Sequence, residues 1–416
     1  MAELEAKNIG LRGVTVADSK ISKVDGLEGK LIYRGYSIAE LSEKSSYPEV
    51  VFLLLMGRLP TAVELAATEK TLAEARELPP AILQMLEQFP EQTDPMDVLQ
   101  SAVAALAVYD PDLKSEDRGA RVRSALRLIA RATSVIASWY HIRQGKAPQP
   151  SLPQDSQAGA YLRMLWGRDP EPGEQDLMNI LLVIHAEHTF NASTFAVREV
   201  ASTQAHIYAS VAAGVGALSG ALHGGANARV MQMLEQIEAT GDVESWVRGR
   251  IEAGQRVMGL GHAVYKTEDP RARVLRDVAE RVLSGTPMEK WFRLALEVEA
   301  VSRRLLLELK GYDLYPNVDF YSGSVLRGIG FPNEFFPAFF ATSRVAGWCA
   351  HYIEEEFAEA QPKPALYRPR ANYTGRLCGP NGCRFVPLES RGVGCPCGKE
   401  FDACDEQTAL EDLGWG

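Results

Sequence analysis

Apolar positions in this chain recur mostly at helical spacing, with Gly, Pro and capping residues marking the breaks between runs. The opening is the exception. Residues 14–33, VTVADSKISKVDGLEGKLIY, hold two β-branched or apolar runs separated by Asp25-Gly26, which predicts a small hairpin. Beyond it, Ser37 with Glu40 and Thr61 with Glu64 have capping-box spacing, and Gly57 closes the apolar run VVFLLLMG as a helix end would. Residues 94–145 read as two long helices around the charged break DPDLKSEDRG, followed by the Pro-rich loop GKAPQPSLPQD. Helices are predicted at 176–188 and at 193–219, where Ala, Ser and Gly recur every three or four positions and let a neighbouring helix approach closely. Others are predicted at 225–238, 243–254, 270–284, 288–310 and 333–359. No alternation of strand and helix suggests a parallel sheet, so the expected fold class is mainly α. Gly-rich breaks near 220 and 323 bracket a middle section expected to be a smaller domain inserted in a larger one.

Composition narrows the function classes. With 416 residues, 46% of them hydrophobic, the chain can bury a sizeable core. A formal net charge of -10 argues against nucleic acid as a general partner, which needs a cationic footprint. No run of about eighteen uncharged apolar residues suggests a membrane span. The start, MAELEAKNIGLRG, has neither signal-peptide nor presequence character, so the expected location is the cytoplasm. All six cysteines, at 349, 378, 383, 395, 397 and 404, fall near the C-terminus, and the body is expected to fold without disulfides.

Candidate chemistry centres on four of the seven histidines. His141 and His351 read as exposed or packed, and His206 as a core histidine inside the 193–219 helix. HAEH, 185–188, puts two histidines three apart on one helical face, but a zincin pair is spaced four apart with glutamate directly after the first. The other reading is that one of them bonds an anionic ligand at the helix end. ALHGGAN, 221–227, is either a glycine turn with an incidental histidine or a helix mouth whose dipole keeps His223 neutral, ready to donate to an oxygen that becomes negative. In GLGHAVYKTEDPRARV, 259–274, Gly259 and Gly261 permit unusual backbone beside His262, Pro270 starts a helix, and Arg271 follows. Arginine grips carboxylates with a two-pronged geometry, which suggests a di-acid substrate. Asp319 in NVDFYSG is a base if desolvated, or a plain N-cap aspartate. With Arg344 and the pair Arg368 and Arg370, these residues make a kit for carbon-acid chemistry on an anionic substrate without metal.

IYRGYSI, HAEHTFNASTF, LHGGAN, GHAVYKTEDPR, NVDFYSG, TSRVAGW and RPRANY stand in the order and at roughly the separations of the citrate synthase family, from about residue 10 to about residue 375. On these motifs the chain resembles that family. The resemblance implies a two-domain helical fold with a small N-terminal β-hairpin: a large domain over 1–223, a small domain over 224–325, a return to the large domain with a dimer arm over 326–375, and a Cys-rich tail over 376–416. It implies a homodimer, or a higher homo-oligomer, that takes oxaloacetate and acetyl-CoA as substrates and needs no separate cofactor. In this resemblance His223 bonds the thioester carbonyl, Asp319 removes the methyl proton, and His262 polarises the oxaloacetate ketone. His188, Arg271, Arg344 and Arg368 bind oxaloacetate or citrate, Arg368 from the partner subunit. Lys266 meets a CoA phosphate, and the backbone of Gly259, Leu260 and Gly261 lies near the adenine.

The sequence departs from the family at Ala263, where many bacterial members carry arginine, and in the tail CGPNGCRFVPLESRGVGCPCGKEFDAC. Its cysteine spacings do not match a two-pair zinc ribbon, which leaves reduced thiols, a metal knuckle or a disulfide. Three functions are expected in order: citrate synthesis, 2-methylcitrate synthesis from propionyl-CoA, and a non-catalytic assembly or regulatory role centred on the tail.

Overall fold

The computed structural model of the chain describes residues 10–11, 13–286, 289–374, 385 and 387. The Cys-rich tail, apart from Phe385 and Pro387, therefore lies outside the described residues. An antiparallel sheet of three short strands comes first: β1 (Ser22–Asp25), β2 (Lys30–Tyr33) and β3 (Tyr36–Ser37), in the order β1-β2-β3 with Ser22 opposite Tyr33 and Asp25 opposite Lys30. The predicted hairpin is present, but its turn is four residues long. The Asp25 carboxylate accepts the Leu27 and Glu28 amides, and Gly29 takes a left-handed φ of 61°, so the turn closes later than a two-residue Asp-Gly turn.

Helices make up the rest. In chain order they are α1 (Ile38–Lys44), α2 (Tyr47–Met56), α3 (Ala62–Ala75), α4 (Pro80–Glu87), α5 (Pro95–Leu106), α6 (Arg118–Ile142), α7 (Gln157–Trp166) and α8 (Pro172–His185). There follow α9 (Ala192–Ser202), α10 (Ile207–Ser219), α11 (Ala226–Thr240), α12 (Val243–Glu252), α13 (Pro270–Leu283), α14 (Glu289–Lys310), α15 (Val318–Gly328) and α16 (Phe336–Glu356). Ser37 accepts the Glu40 amide at the start of α1, but the Glu40 carboxylate does not return a bond to the Ser37 amide, so no reciprocal box forms there. Gly57 ends α2 in the left-handed region, and Thr61 with Glu64 forms a reciprocal box at the start of α3. Thr61→Ala is expected to cost about 1 kcal/mol, read from the urea midpoint, and an unchanged midpoint would rule the box out as a contributor.

The predicted helix over 193–219 is two helices. Gln204 adopts a φ of 64°, and His206 is the N-cap of α10, its Nδ1 accepting the Ala209 amide at 3.1 Å. His206 is thus half-buried at a helix start and not a core residue, because its imidazole offers an acceptor where the first turn leaves an amide unpaired. His141 and His351 are both buried. Helices α4, α7 and α15 lie outside the predicted spans. Gly323 is no break but the middle of α15, where a Cβ would stand 2.7 Å from the Asn227 carbonyl, so glycine lets α15 close onto α11.

The core is built around α16, which is buried at every position from Ala341 to Glu355 and packs on α2, α5, α6, α8, α9 and α10. Gly347 admits the backbone of Ala186 and Glu187, and Gly214 admits Val197 and Trp348. Helices α11 to α15 pack chiefly on one another, with α13 also against α1 and α8. The chain forms two compact units, one ending at Tyr367 and the other starting at Arg368. No helix among the described residues is long and apolar enough to cross a membrane.

Candidate active site

Most of the predicted site residues sit at helix starts or in the turns that lead into them. His185 ends α8, so it and His188 do not share a helical face. His185 donates from Nδ1 to Leu181 O at 2.8 Å and is fully buried, whereas His188 lies three residues on, in the turn before α9. The rings of His188 and His262 are 5.6 Å apart, and Tyr265 joins them, its hydroxyl 3.2 Å from His188 Nε2 and its ring 4.7 Å from that of His262.

Local hydrogen bonds select the tautomer of two histidines. The amides of Val264 and Tyr265 both donate to His262 Nδ1, at 3.0 and 3.2 Å. An amide can only donate, so Nδ1 carries the lone pair and Nε2 carries the proton. By the same reasoning, the Ser193 amide donates to His223 Nε2 at 3.1 Å, which puts the His223 proton on Nδ1. Burial is the main reason both rings stay neutral, pulling each down to about 4; Arg344 adds to this at His223 and Arg271 at His262. The helix dipole expected to keep His223 neutral is thus not the principal cause. His188 is held well below the ordinary histidine value by burial and then by Arg271 and Arg344.

Asp319 occupies the first turn of α15 but does not cap it. Asn317 does, accepting the Asp319 amide at 3.0 Å, which leaves the Asp319 carboxylate with no hydrogen bond among the described residues. Burial pushes it up to about 6, against the opposing pull of Arg271. The capping reading of this aspartate is therefore replaced by one in which the carboxylate is free to take a proton.

Arg271 and Arg344 are buried cations held differently. Asp269 grips Arg271 with two side-chain bonds of 3.0 and 2.8 Å, accepts the Arg271 amide, and accepts the Val318 amide at 3.1 Å. One carboxylate thereby ties the start of α13 to the start of α15, next to Asp319. Arg344 donates from Nε to His185 O at 2.7 Å, stacks on Phe340, and leaves its buried Nη2 without a partner among the described residues. Burial pulls Arg344 down to about 10, although Glu187 and Tyr33 oppose it. A buried cationic N–H with nothing to bond is what an incoming carboxylate would satisfy. Arg344 influences His188, His223 and Asp319, while Arg271 influences His188, His262 and Asp319, so these six groups lie within electrostatic reach of one another.

Gly259 and Gly261 take φ values of 79° and 81°, and their backbone pairs with Tyr315 and Asn317, docking Leu260 opposite Pro316. A cavity of about 620 Å³ opens beside them, lined among others by Gly261, His262, Ala263, Arg256 and Lys310. A second cavity, about 1000 Å³ and lined by Arg76 and the 148–157 loop, holds none of the predicted site residues. Lys266 is exposed. Arg368 opens the second unit and is exposed, as is Arg370. Among the described residues no group of three or more His, Cys, Asp or Glu side chains is arranged to hold a metal.

Sequence reasoning missed Ser193, Tyr265 and Asp269. Asp269 had a signal, since Asp before Pro starts a helix, but its grip on Arg271 depends on a bend that spacing does not reveal. It also missed that His351 and Glu187 form a buried pair at 3.1 Å directly behind the His188 turn. Burial would raise the Glu187 carboxyl, but His351 and Arg344 hold it below the usual range.

The helical fold thus brings together neutral histidines, a raised carboxylate and two buried arginines, groups of the kind that acid–base chemistry on an anionic carbon acid requires. The family model of the citrate synthase C-terminal domain matches residues 10–370. A protein of Synechocystis sp. named citrate synthase is 39% identical over 394 residues, covering 94% of this chain and 96% of that one. A Bacillus subtilis protein named citrate/2-methylcitrate synthase is 34% identical over 376 residues, covering 90% and 98%. The crystal structure of citrate synthase from Pyrobaculum aerophilum superposes with a TM-score of 0.83 at 35% identity, covering 92% and 95%. The ternary complex of Thermoplasma acidophilum citrate synthase with carboxymethyl coenzyme A and oxaloacetate gives a TM-score of 0.81 at 33% identity, covering 91% and 98%. This chain belongs to the citrate synthase family, a family of condensing enzymes.

Proposed function

We propose that this chain condenses acetyl-CoA with oxaloacetate and hydrolyses the resulting citryl-CoA to citrate and CoA. The observation that carries the reading is the pairing of a free, raised carboxylate at Asp319 with two histidines whose protonated nitrogens are selected by backbone amides. Asp319 takes a proton from the acetyl methyl group. His223 Nδ1–H donates to the thioester oxygen as it gains negative charge, which makes the enol nucleophile. The enol carbon attacks the ketone of oxaloacetate, whose oxygen accepts from His262 Nε2–H. Arg271 and Arg344 bind carboxylates, His188 contacts the same substrate, and Arg368 joins them across a homodimer in the cytoplasm. On the CoA side, Lys266 meets a phosphate and the 259–261 backbone lies by the adenine, with Arg256 and Lys310 adding positive charge to the adjoining cavity. Residues 224–325 act as a small domain that closes over the substrates. Water then attacks the citryl-CoA thioester carbonyl, the C–S bond breaks, and a proton of that water passes to the departing CoA sulfur, so the reaction balances without a further cofactor.

The test is loss of the thioester ultraviolet band on adding oxaloacetate to acetyl-CoA or to propionyl-CoA, a readout that thiols do not disturb. Preference for acetyl-CoA is expected. Preference for propionyl-CoA would reassign the chain to 2-methylcitrate synthesis, and turnover of neither by folded protein would overturn the reading.

A further inference from the structure

The N-terminal hairpin touches both turns that carry the substrate histidines. At the first turn, Ser22 Oγ donates to Glu187 Oε1 at 2.8 Å and accepts the Thr189 amide at 3.2 Å. Tyr33 Oη, on the paired strand, donates to Glu187 O at 2.7 Å and accepts the Glu187 amide at 3.1 Å. Both neighbours of His188 are thus bonded to β1 or β2. At the second turn, contact is backbone on backbone. The Lys266 amide donates to Gly26 O at 2.8 Å. A Cβ on Gly26 would lie 2.3 Å from Val264 O, and one on Gly29 would lie 2.8 Å from Thr267 Cγ2 and 2.9 Å from Glu268 O.

We propose that the β1–β2 hairpin is a positioning clamp that holds the His188 turn and the His262 loop at a set separation, so that the two imidazoles meet one substrate as a pair. Ser22 and Gly26 are its positioning residues; neither touches the reacting atoms. The proposal rests on the reading of these histidines as oxaloacetate contacts. Its physical basis is the size of the contact. Two turns from distant parts of the chain present rings 5.6 Å apart, and Tyr265 bonds to one and packs on the other. A misplacement of about 1 Å at such a pair can cost on the order of 10²-fold in rate.

Gly26 separates the clamp from ordinary fold stability. Its φ is not positive, so alanine suits its own backbone, and the three atoms nearest the added methyl group all belong to Val264. The experiment compares full-length wild type, Gly26→Ala, Ser22→Ala and Leu27→Ala by amide hydrogen exchange and by oxaloacetate kinetics. Leu27, 78% exposed at the tip, is the control. Gly26→Ala is expected to speed exchange over 264–268 without changing it in α6, and to lower kcat/KM for oxaloacetate by about 10- to 10²-fold, chiefly through KM. Ser22→Ala should act in the same direction through the His188 turn, and Leu27→Ala should do neither. Unchanged exchange over 264–268 in Gly26→Ala overturns the clamp, as does faster exchange with unaltered oxaloacetate kinetics. If the wild type turns over no oxaloacetate, the functional reading fails, and exchange alone decides whether the hairpin holds the loop.

Discussion

Asp319→Asn is expected to lower kcat by roughly 10²- to 10⁴-fold, the usual worth of a positioned general base, while making the protein more stable at pH 8. Asparagine has the same shape but cannot take the methyl proton. The helix should tolerate it, because Asn317 and not Asp319 caps α15. The stability change follows from linkage. Folding raises this carboxyl to about 6, above its unfolded value, so the native state resists ionising it. That cost is fully present above pH 6, shrinks as pH falls, and is gone below the unfolded value near pH 4. At pH 8 it amounts to about 3 kcal/mol at most, since each pH unit of displacement is worth about 1.4 kcal/mol. The wild-type rate should correspondingly climb as pH rises through about 6, where the base ionises. Thermal melts at pH 4 and pH 8, with a pH–rate profile, check both halves. A variant that keeps wild-type kcat would remove Asp319 from the mechanism.

Asp269→Asn is expected to destabilise the fold by roughly 3 to 5 kcal/mol, the range seen when one member of a buried ion pair is removed. Asparagine keeps one acceptor oxygen where the carboxylate has two, so it can accept the Arg271 amide or the Val318 amide but not both, and it also loses the negative charge that faces Arg271. Burial alone would raise the Asp269 carboxyl, but Arg271 holds it below the usual range. Its contribution is therefore complete above the unfolded carboxylate value and is lost as pH drops through the depressed folded one. The variant should be less sensitive to acid than the wild type and should bind oxaloacetate more weakly, because Arg271 loses the partner that orients it. Urea unfolding at pH 7 and pH 3, with calorimetric titration of oxaloacetate, measures both. Equal stability of the two proteins at pH 7 would mean that Asp269 does not compensate Arg271.

Much of this protein could be read from its sequence. Capping pairs such as Thr61 with Glu64, the left-handed Gly57 and the Pro270 start are local signals, and each formed as expected because it depends on residues within one turn. The helical class followed from periodicity. The break at Gln204 and the helix α15 did not, because a left-handed non-glycine residue and a glycine buried inside a helix run against local preference and are compensated only by packing. His223, His262 and Asp319 could be picked out by their setting between glycines, prolines and apolar residues, and the family resemblance supplied their roles.

What sequence alone determined is therefore the helical class, the family motifs and the side chains available for chemistry. Only the tertiary structure decided how those side chains are tuned. The neutral state of the histidines comes mainly from burial, the proton positions on His262 and His223 come from amides of Val264, Tyr265 and Ser193, and the free carboxylate of Asp319 comes from Asn317 having taken the cap. The physical reason is one of range. Caps and turns are set by neighbours along the chain, whereas desolvation and charge depend on what the fold brings near from elsewhere, such as the Arg344 charge from α16 that acts on His223 and Asp319.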